Sequence, residues 1–128
     1  ADDISFAALV KVDHLRYKQN AYAALSTGAD SSEARETQVS DHDCRFGEWY
    51  FNGDGAQAFK QYPAYSKVQP VHADVHSHIQ HAISLLEGSW ESSSDTQSQI
   101  LNSFKEAEQA SYNLMGLVDQ MVREKHPA

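Results

Sequence analysis

Three long stretches of this sequence place their apolar residues at intervals of three and four, and this spacing restricts the fold more than any other feature. It is typical of α-helices that bury one face, and no stretch alternates convincingly between apolar and polar residues as a half-buried strand does. The first stretch extends from about Ile4 to Leu25 and contains neither glycine nor proline. The chain is therefore expected to be all-α.

Shorter elements are expected between the first and second long stretches. The segment from Ser26 to Ser40 is polar and predicts a loop that holds at most a short helical turn. A short helix that carries Cys44 should begin near Asp41 and end at the glycines of residues 52–55. One more short turn is expected in residues 56–62, because the residue before Pro63 resists helical geometry.

Two long helices should complete the fold. One is predicted from Pro63 or Ala64 to Glu87, with either a kink near Pro70 or a start at that proline. The last helix should follow capping candidates in residues 92–95 and bury an apolar stripe. The stripe consists of Ile100, Leu101, Phe104, Ala107, Leu114, Leu117, Val118 and Met121. The sequence thus predicts a four-helix bundle with a short cysteine-bearing second helix.

Length and charge narrow the range of functions. A chain of 128 residues fits a single domain, here residues 1–128. Its 18 acidic and 10 basic residues give a net charge of -8, which argues against nucleic acid or an anionic membrane as a partner. One cysteine excludes an internal disulfide, and no apolar run approaches the roughly 20 residues of a membrane span. The first residue is not methionine, so we expect a piece of a longer signalling protein.

Two histidines four residues apart, His72 and His76, are the first candidates for metal ligands. At about 100° of rotation per residue, positions i and i+4 share a helical face, so two imidazoles can reach one ion. Ala73 stands where zinc proteases have glutamate, which argues against a hydrolytic site. Apolar neighbours place both histidines on the core face: Val68, Val75, Ile79, Ile83 and Leu86. The opposite face should meet solvent through His78, Gln80, His81 and Ser84.

His14 and Cys44 are further candidates on other segments. Because His14 shares a helical face with Tyr17 and Ala21, it can turn inward. One cysteine with three histidines suits a tetrahedral Zn²⁺ and leaves no coordination position for water. The alternative is a small buried Cys44 and an ordinary His14, and spacing alone does not decide between them.

At these positions the sequence resembles the chemoreceptor zinc-binding (CZB) domain of bacteria. The resemblance rests on His14, on the motif Cys44-Arg45-Phe46-Gly47-Glu48-Trp49-Tyr50, and on His72-Ala73-Asp74-Val75-His76. It implies that His14, Cys44, His72 and His76 bind one zinc ion per chain in the interior of the bundle.

The resemblance also implies a function. CZB domains are cytoplasmic, homodimeric regulatory modules without catalysis, attached to methyl-accepting chemotaxis receptors or diguanylate cyclases. The expected partner is therefore the effector domain of the parent protein, and the output is chemotaxis or cyclic-di-GMP signalling. Two inputs are expected, either zinc occupancy or oxidation of the zinc-bound Cys44, for example by hypochlorous acid.

Residues around the cysteine have supporting roles in this interpretation. Phe46, Gly47 and Trp49 match the family motif and are expected to pack the core beside the metal. Asp41, His42 and Asp43 are expected to orient a ligand or adjust the charge of the site, with His42 exposed or just behind the ligands. The long stripe of the last helix and an exposed Trp90 indicate apolar area for a second copy.

Two rival functions remain from the sequence. A di-iron protein of the haemerythrin or carboxylate-bridged type would also direct histidines inward from several helices. Such a site needs several inward carboxylates, and none accompanies the inward histidines at helical spacing. A metal-free helical interaction module is the other rival. Metal content discriminates among the three.

Overall fold

A computed structural model describes residues 3–127 of the chain. Six α-helices and one 3₁₀ turn occur in this range, and none of these residues lies in a strand. In chain order they are α1 (Asp3–Thr27), α2 (Ser32–Glu36), α3 (Arg45–Asn52), α4 (Asp54–Phe59), α5 (Pro63–Ser84), the 3₁₀ turn Trp90–Ser92, and α6 (Ser94–Lys125). The predicted all-α fold is confirmed.

The four main helices of the prediction correspond to α1, α3, α5 and α6, while α2 and α4 are short additions of one or two turns. The cysteine-bearing helix α3 begins at Arg45, four residues after the predicted start. Cys44 itself has extended backbone geometry and caps α3, because its sulfur accepts a hydrogen bond from the N–H of Gly47. The short helix therefore presents the cysteine at its N-terminus.

Helix α5 begins at Pro63 and continues through Pro70 to Ser84. The start at Pro63 agrees with the favourable position of proline in the first helical turn. Pro70 deprives the carbonyl of Ser66 of its usual donor, but both residues are exposed, so water can reach that carbonyl. The helix ends three residues before the predicted Glu87.

The core is formed mainly where α5 packs along α6. Most of the predicted stripe of α6 is buried there, although Leu101 is 71% exposed and Leu117 is half-buried. Trp90 was expected to be exposed, but it is half-buried against the core. The stripe of α6 is thus used mostly inside the chain.

Helix α1 lies antiparallel to α6 and is joined to it along its length. Ion pairs connect Lys11 Nζ with Asp119 (2.8 Å), Lys18 Nζ with Glu108 (2.9 Å) and Asp3 with Lys125 Nζ (3.1 Å). None of the helices in residues 3–127 has the length and apolarity needed to cross a bilayer.

Candidate metal centre

Three candidate ligands from two segments meet inside the bundle. The sulfur of Cys44 lies 3.4 Å from Nε2 of His72, and that nitrogen lies 3.2 Å from Nε2 of His76. The ligand atoms of all three residues lie within 4.8 Å of one another. Both histidines are buried, as their position on the apolar face of α5 predicted.

These distances can be compared with the edges of a zinc tetrahedron. With bonds of about 2.0 Å to nitrogen and about 2.3 Å to sulfur, the ligand atoms lie about 3.3 Å apart for two nitrogens and about 3.5 Å apart for nitrogen and sulfur. The observed separations of 3.2 Å (His72 to His76) and 3.4 Å (Cys44 to His72) are close to both values. Two edges of the cluster therefore match a tetrahedral site, and the ligand atoms of the third pair, Cys44 and His76, lie within 4.8 Å of each other.

The orientation of His76 is fixed by a backbone carbonyl from the loop after α2. Nδ1 of His76 lies 2.9 Å from the oxygen of Val39. A carbonyl can only accept, so Nδ1 carries the proton and Nε2 keeps its lone pair facing His72 and Cys44. Tyr17 of α1 packs over the His76 ring at 4.8 Å between centroids. With its proton on Nδ1, the His76 ring can bind a metal through Nε2.

The sequence pattern did not predict the role of Gln80, which was expected to point to solvent. Its side-chain amide donates to the carbonyls of Val39 (2.9 Å) and Thr37 (3.3 Å). Position 80 lies one helical turn after His76, so the glutamine reaches the same loop as the histidine. It holds in place the carbonyl that orients the ligand.

His14 on α1 borders the cluster without a partner of its own. Its side chain is only 6% exposed, and its ring centroid lies 5.8 Å from that of His72. Nε2 of His14 is buried and has no hydrogen bond. A buried polar atom in this state costs on the order of 1–3 kcal/mol. A metal ion bound at the neighbouring cluster would satisfy this nitrogen.

Burial keeps the three imidazoles in their neutral, metal-binding form. Desolvation, followed by the charges of His76 and Lys18, lowers the pKa of His14 to about 4. Desolvation, followed by neighbouring histidines, lowers the pKa of His72 to about 3. The pKa of His76 is also lowered by burial, against the opposing hydrogen bond to Val39. All three rings therefore offer nitrogen lone pairs at neutral pH.

Cys44 lies in an environment that favours binding a metal over remaining a free thiolate. Burial raises the pKa of its thiol, and the backbone N–H groups of Gly47 and Phe46 partly offset this effect. The thiol is therefore protonated at neutral pH and would release its proton on binding a metal. The N–H of Gly47 lies 3.4 Å from the sulfur.

Comparison with known proteins agrees with this geometry. The family model described as "Chemoreceptor zinc-binding domain" (CZB) matches residues 14–83, which is more than half of the chain. The chain belongs to the CZB family. No curated protein and no solved structure gives a significant match.

The CZB match contains all four predicted ligand positions and begins at His14 itself. Membership of the family identifies zinc as the metal, and the donors fit it, because thiolate and imidazole favour zinc over the oxygen-seeking ions calcium and magnesium. The buried nitrogen Nε2 of His14, which has no hydrogen-bond partner, is also suited to bind zinc. No carboxylate belongs to the cluster formed by the described residues, so a carboxylate-bridged di-iron centre does not fit.

The three CZB motif residues after the cysteine have separate packing roles. Phe46 is buried and places its ring edge-on to His72 at 5.0 Å. Trp49 is half-buried and stacks on Phe6 of α1 at 4.1 Å. A Cβ atom on Gly47 would lie 1.9 Å from the carbonyl oxygen of Asp41. Only glycine allows the turn that carries Cys44 to fold back onto α3.

The three polar residues before the cysteine differ in their exposure and in the groups that they contact. Asp41 is nearest, since its carbonyl oxygen lies 3.7 Å from the sulfur of Cys44 and its carboxylate accepts from Gln69. His42 is exposed and stacks on Phe51 at 3.9 Å. Asp43 is exposed and bonds Ser40. Neither His42 nor Asp43 belongs to the ligand cluster.

A cavity of about 210 Å³ lies beside the site and is lined by His14, Cys44 and His76. Its other lining residues include Asp13, which precedes His14 in the chain, and Arg45, which follows Cys44. Arg45 Nε lies 3.3 Å from a carboxylate oxygen of Asp13, and both side chains are at least one-third exposed. The cavity therefore adjoins Cys44, beside an ion pair that joins α1 to α3.

Proposed function

We propose that this chain is a zinc-binding regulatory sensor domain in which Cys44, His72, His76 and His14 hold one zinc ion. The observation that carries the proposal is the buried Nε2 of His14, which borders the three clustered ligands and has no partner. A fourth bond from His14 would satisfy that nitrogen and complete a tetrahedral set.

A regulatory role follows from where the four ligands lie. His14 belongs to α1, Cys44 caps α3, and His72 and His76 belong to α5. Binding of the metal would cross-link α1, α3 and α5, which loops and the short helices α2 and α4 separate along the sequence. Gain or loss of the metal would therefore alter how firmly α3 and α1 are held against α5. Four protein ligands leave no position for a catalytic water, which is why we propose no enzymatic activity.

Cys44 is the residue through which an oxidant would act. Zinc, when bound, supplies a thiolate at a neutral pH where the free thiol would be protonated. The thiolate of Cys44 would react with hypochlorous acid to give the sulfenic acid and chloride, so that sulfur loses two electrons and chlorine gains them. The oxidised sulfur is a weaker ligand, and the cavity beside His14 provides access for so small a reagent.

The output of the sensor would lie in the parent protein. We propose a cytoplasmic location and an effector of the chemotaxis-receptor or diguanylate-cyclase type. The CZB family's description as chemoreceptor zinc-binding supports the chemotaxis-receptor type of effector. A change in the packing of α1, α3 and α5 would be the signal passed to that effector.

The test combines metal analysis with a matched pair of histidine variants. Purified protein should contain one zinc per chain, and His76→Ala should abolish tight binding while His78→Ala leaves it intact. Both histidines lie on α5, but His78 is outside the cluster. Two irons per chain, or equal zinc content in both variants, would refute the metal assignment.

The redox input has its own test. Sub-stoichiometric hypochlorous acid should release zinc in proportion to sulfenic acid trapped at Cys44 by a dimedone-type reagent. Trapped sulfenic acid without zinc release would refute the redox mechanism and leave the zinc site intact. Zinc release without modification of Cys44 would also refute the redox mechanism.

A further inference from the structure

Residues 37–40, here called the ligand loop, follow α2 and are held in place by side chains from two long helices. The carbonyl of Thr37 accepts hydrogen bonds from the hydroxyl of Tyr17 on α1 (2.9 Å) and from the amide of Gln80 on α5 (3.3 Å). Thr37 is completely buried, and its own hydroxyl donates to the carbonyl of Ala34 in α2 (2.6 Å). The start of the loop is therefore fixed from three helices.

The next contacts along the ligand loop reach two of the candidate zinc ligands. The carbonyl of Val39 accepts from Nδ1 of His76 (2.9 Å) and from the amide of Gln80 (2.9 Å). The carbonyl of Ser40 accepts from the backbone N–H of Cys44 (3.1 Å). The loop thus connects donors on α1 and α5 with one ligand directly and with the turn that carries another.

Two features of Tyr17 connect it with the site. It lies three residues after His14, so the two side chains share a face of α1. Its ring packs over the ring of His76 with 4.8 Å between centroids. A phenylalanine ring could make the same contact, so packing does not account for the hydroxyl. The hydroxyl instead donates to the ligand loop, because a carbonyl can only accept.

We propose that Tyr17 is a positioning residue for the zinc site and that its hydroxyl holds the ligand loop where Val39 can orient His76. The inference rests on the zinc site proposed above and adds to it a contribution from α1 that does not touch the metal. A carbonyl that binds the second nitrogen of a ligating histidine fixes the tautomer and the orientation of the ring. Tyr17 limits the motion of that carbonyl by anchoring the loop two residues before it.

The anchor at Tyr17 differs in its effect from the anchor at Gln80. Gln80 and His76 lie one turn apart on α5, so Gln80 holds the ligand loop to the helix that already bears two ligands. Tyr17 ties the same loop to α1, the helix that bears His14. A displacement of α1 relative to α5 would therefore withdraw His14 and release the support of His76 together.

The zinc affinity of the full 128-residue chain, measured by competition with a chromophoric chelator, tests the inference with a matched pair of variants. Tyr17→Phe should bind zinc at least about tenfold more weakly than wild type, as expected for a lost supporting contact. Tyr22→Phe should bind zinc like wild type, because it removes a hydroxyl of the same helix that donates to Glu108 (3.1 Å) instead. Both variants keep an aromatic ring, and circular dichroism of the zinc-free proteins checks that they fold.

Nuclear magnetic resonance of the zinc-loaded proteins with isotope-labelled histidine separates this role from a general loss of stability. In Tyr17→Phe the Nδ1 proton of His76 should exchange with water faster than in wild type, while the backbone amides of α5 exchange as before. Equal zinc affinities for Tyr17→Phe and Tyr22→Phe would overturn the inference, as would a weaker Tyr17→Phe whose His76 proton exchanges no faster. A wild type that binds no zinc would instead refute the proposed function on which the inference rests.

Discussion

At the scale of single residues, His14 decides how the site is interpreted. Sequence spacing left it as either a ligand or an ordinary histidine, and the CZB resemblance made it a ligand. In the structure it is buried beside His72 with Nε2 unpartnered. A histidine that served only to pack the core would normally have found a hydrogen-bond partner.

His14→Leu should have opposite effects with and without zinc. The zinc-free variant should be more stable than zinc-free wild type by about 1–3 kcal/mol, because an unsatisfied buried nitrogen is replaced by an apolar side chain. The same variant should bind zinc at least about tenfold more weakly. Chemical denaturation with chelator, paired with a zinc titration, measures both. A zinc-free variant less stable than wild type would contradict the assignment.

Gln80→Ala should weaken zinc binding although the side chain touches no ligand directly. The Val39 carbonyl would lose one of its two donors and hold His76 less firmly, and such supporting contacts are worth about 10–100-fold in affinity. Ser84→Ala, one turn further along the exposed side of α5, is the control. Equal affinities for both variants would show that Gln80 has no role in orienting His76.

At the scale of elements, the apolar spacing predicted the helices well because burial of one face decides their length. It predicted the local geometry of the site poorly. Cys44 was expected inside a helix, but as a cap it lies before α3. The carbonyl of Val39 could not be predicted, because any residue can supply a carbonyl and only the path of the loop determines which one does. Ligand identity, by contrast, follows from side-chain chemistry that the sequence displays.

Gly47→Ala should be far more damaging than its place in a helix indicates. The added Cβ would meet the Asp41 carbonyl oxygen at 1.9 Å, so the turn that carries Cys44 must shift. We expect a loss of stability of about 2 kcal/mol or more together with weaker zinc binding. Gly116→Ala in α6 meets no atom within 4 Å and should stabilise the protein by about 0.5–1 kcal/mol. Thermal denaturation of both variants checks this, and a neutral Gly47→Ala would contradict it.

At the scale of the whole molecule, the candidate site and the exposed apolar side chains have one helix in common. The proposed site would join α1, α3 and α5, while the exposed large hydrophobic side chains of residues 3–127 lie on α1 and α6. The sequence predicted a surface for a second copy from the stripe of α6 and from Trp90, but burial of the stripe moves the exposed area to α1 and the outer side of α6. Periodicity reveals apolar faces, and only packing reveals which face remains uncovered.

Removal of zinc should lower the stability of the whole chain without unfolding it, because α5 and α6 bury a core of their own. At free zinc near 100 times the Kd, binding contributes about 2.7 kcal/mol. The melting temperature should therefore fall on chelation and recover on adding zinc, while Cys44→Ser should show little zinc dependence. A melting temperature unaffected by chelator would indicate a metal-free interaction module instead.

X-ray absorption at the zinc edge of the purified, zinc-loaded protein tests the four-ligand site without a variant. We expect four ligands, one sulfur at about 2.3 Å and three imidazole nitrogens at about 2.0 Å. A zinc with no sulfur ligand, or with two imidazoles and a bound water in place of His14, would contradict it.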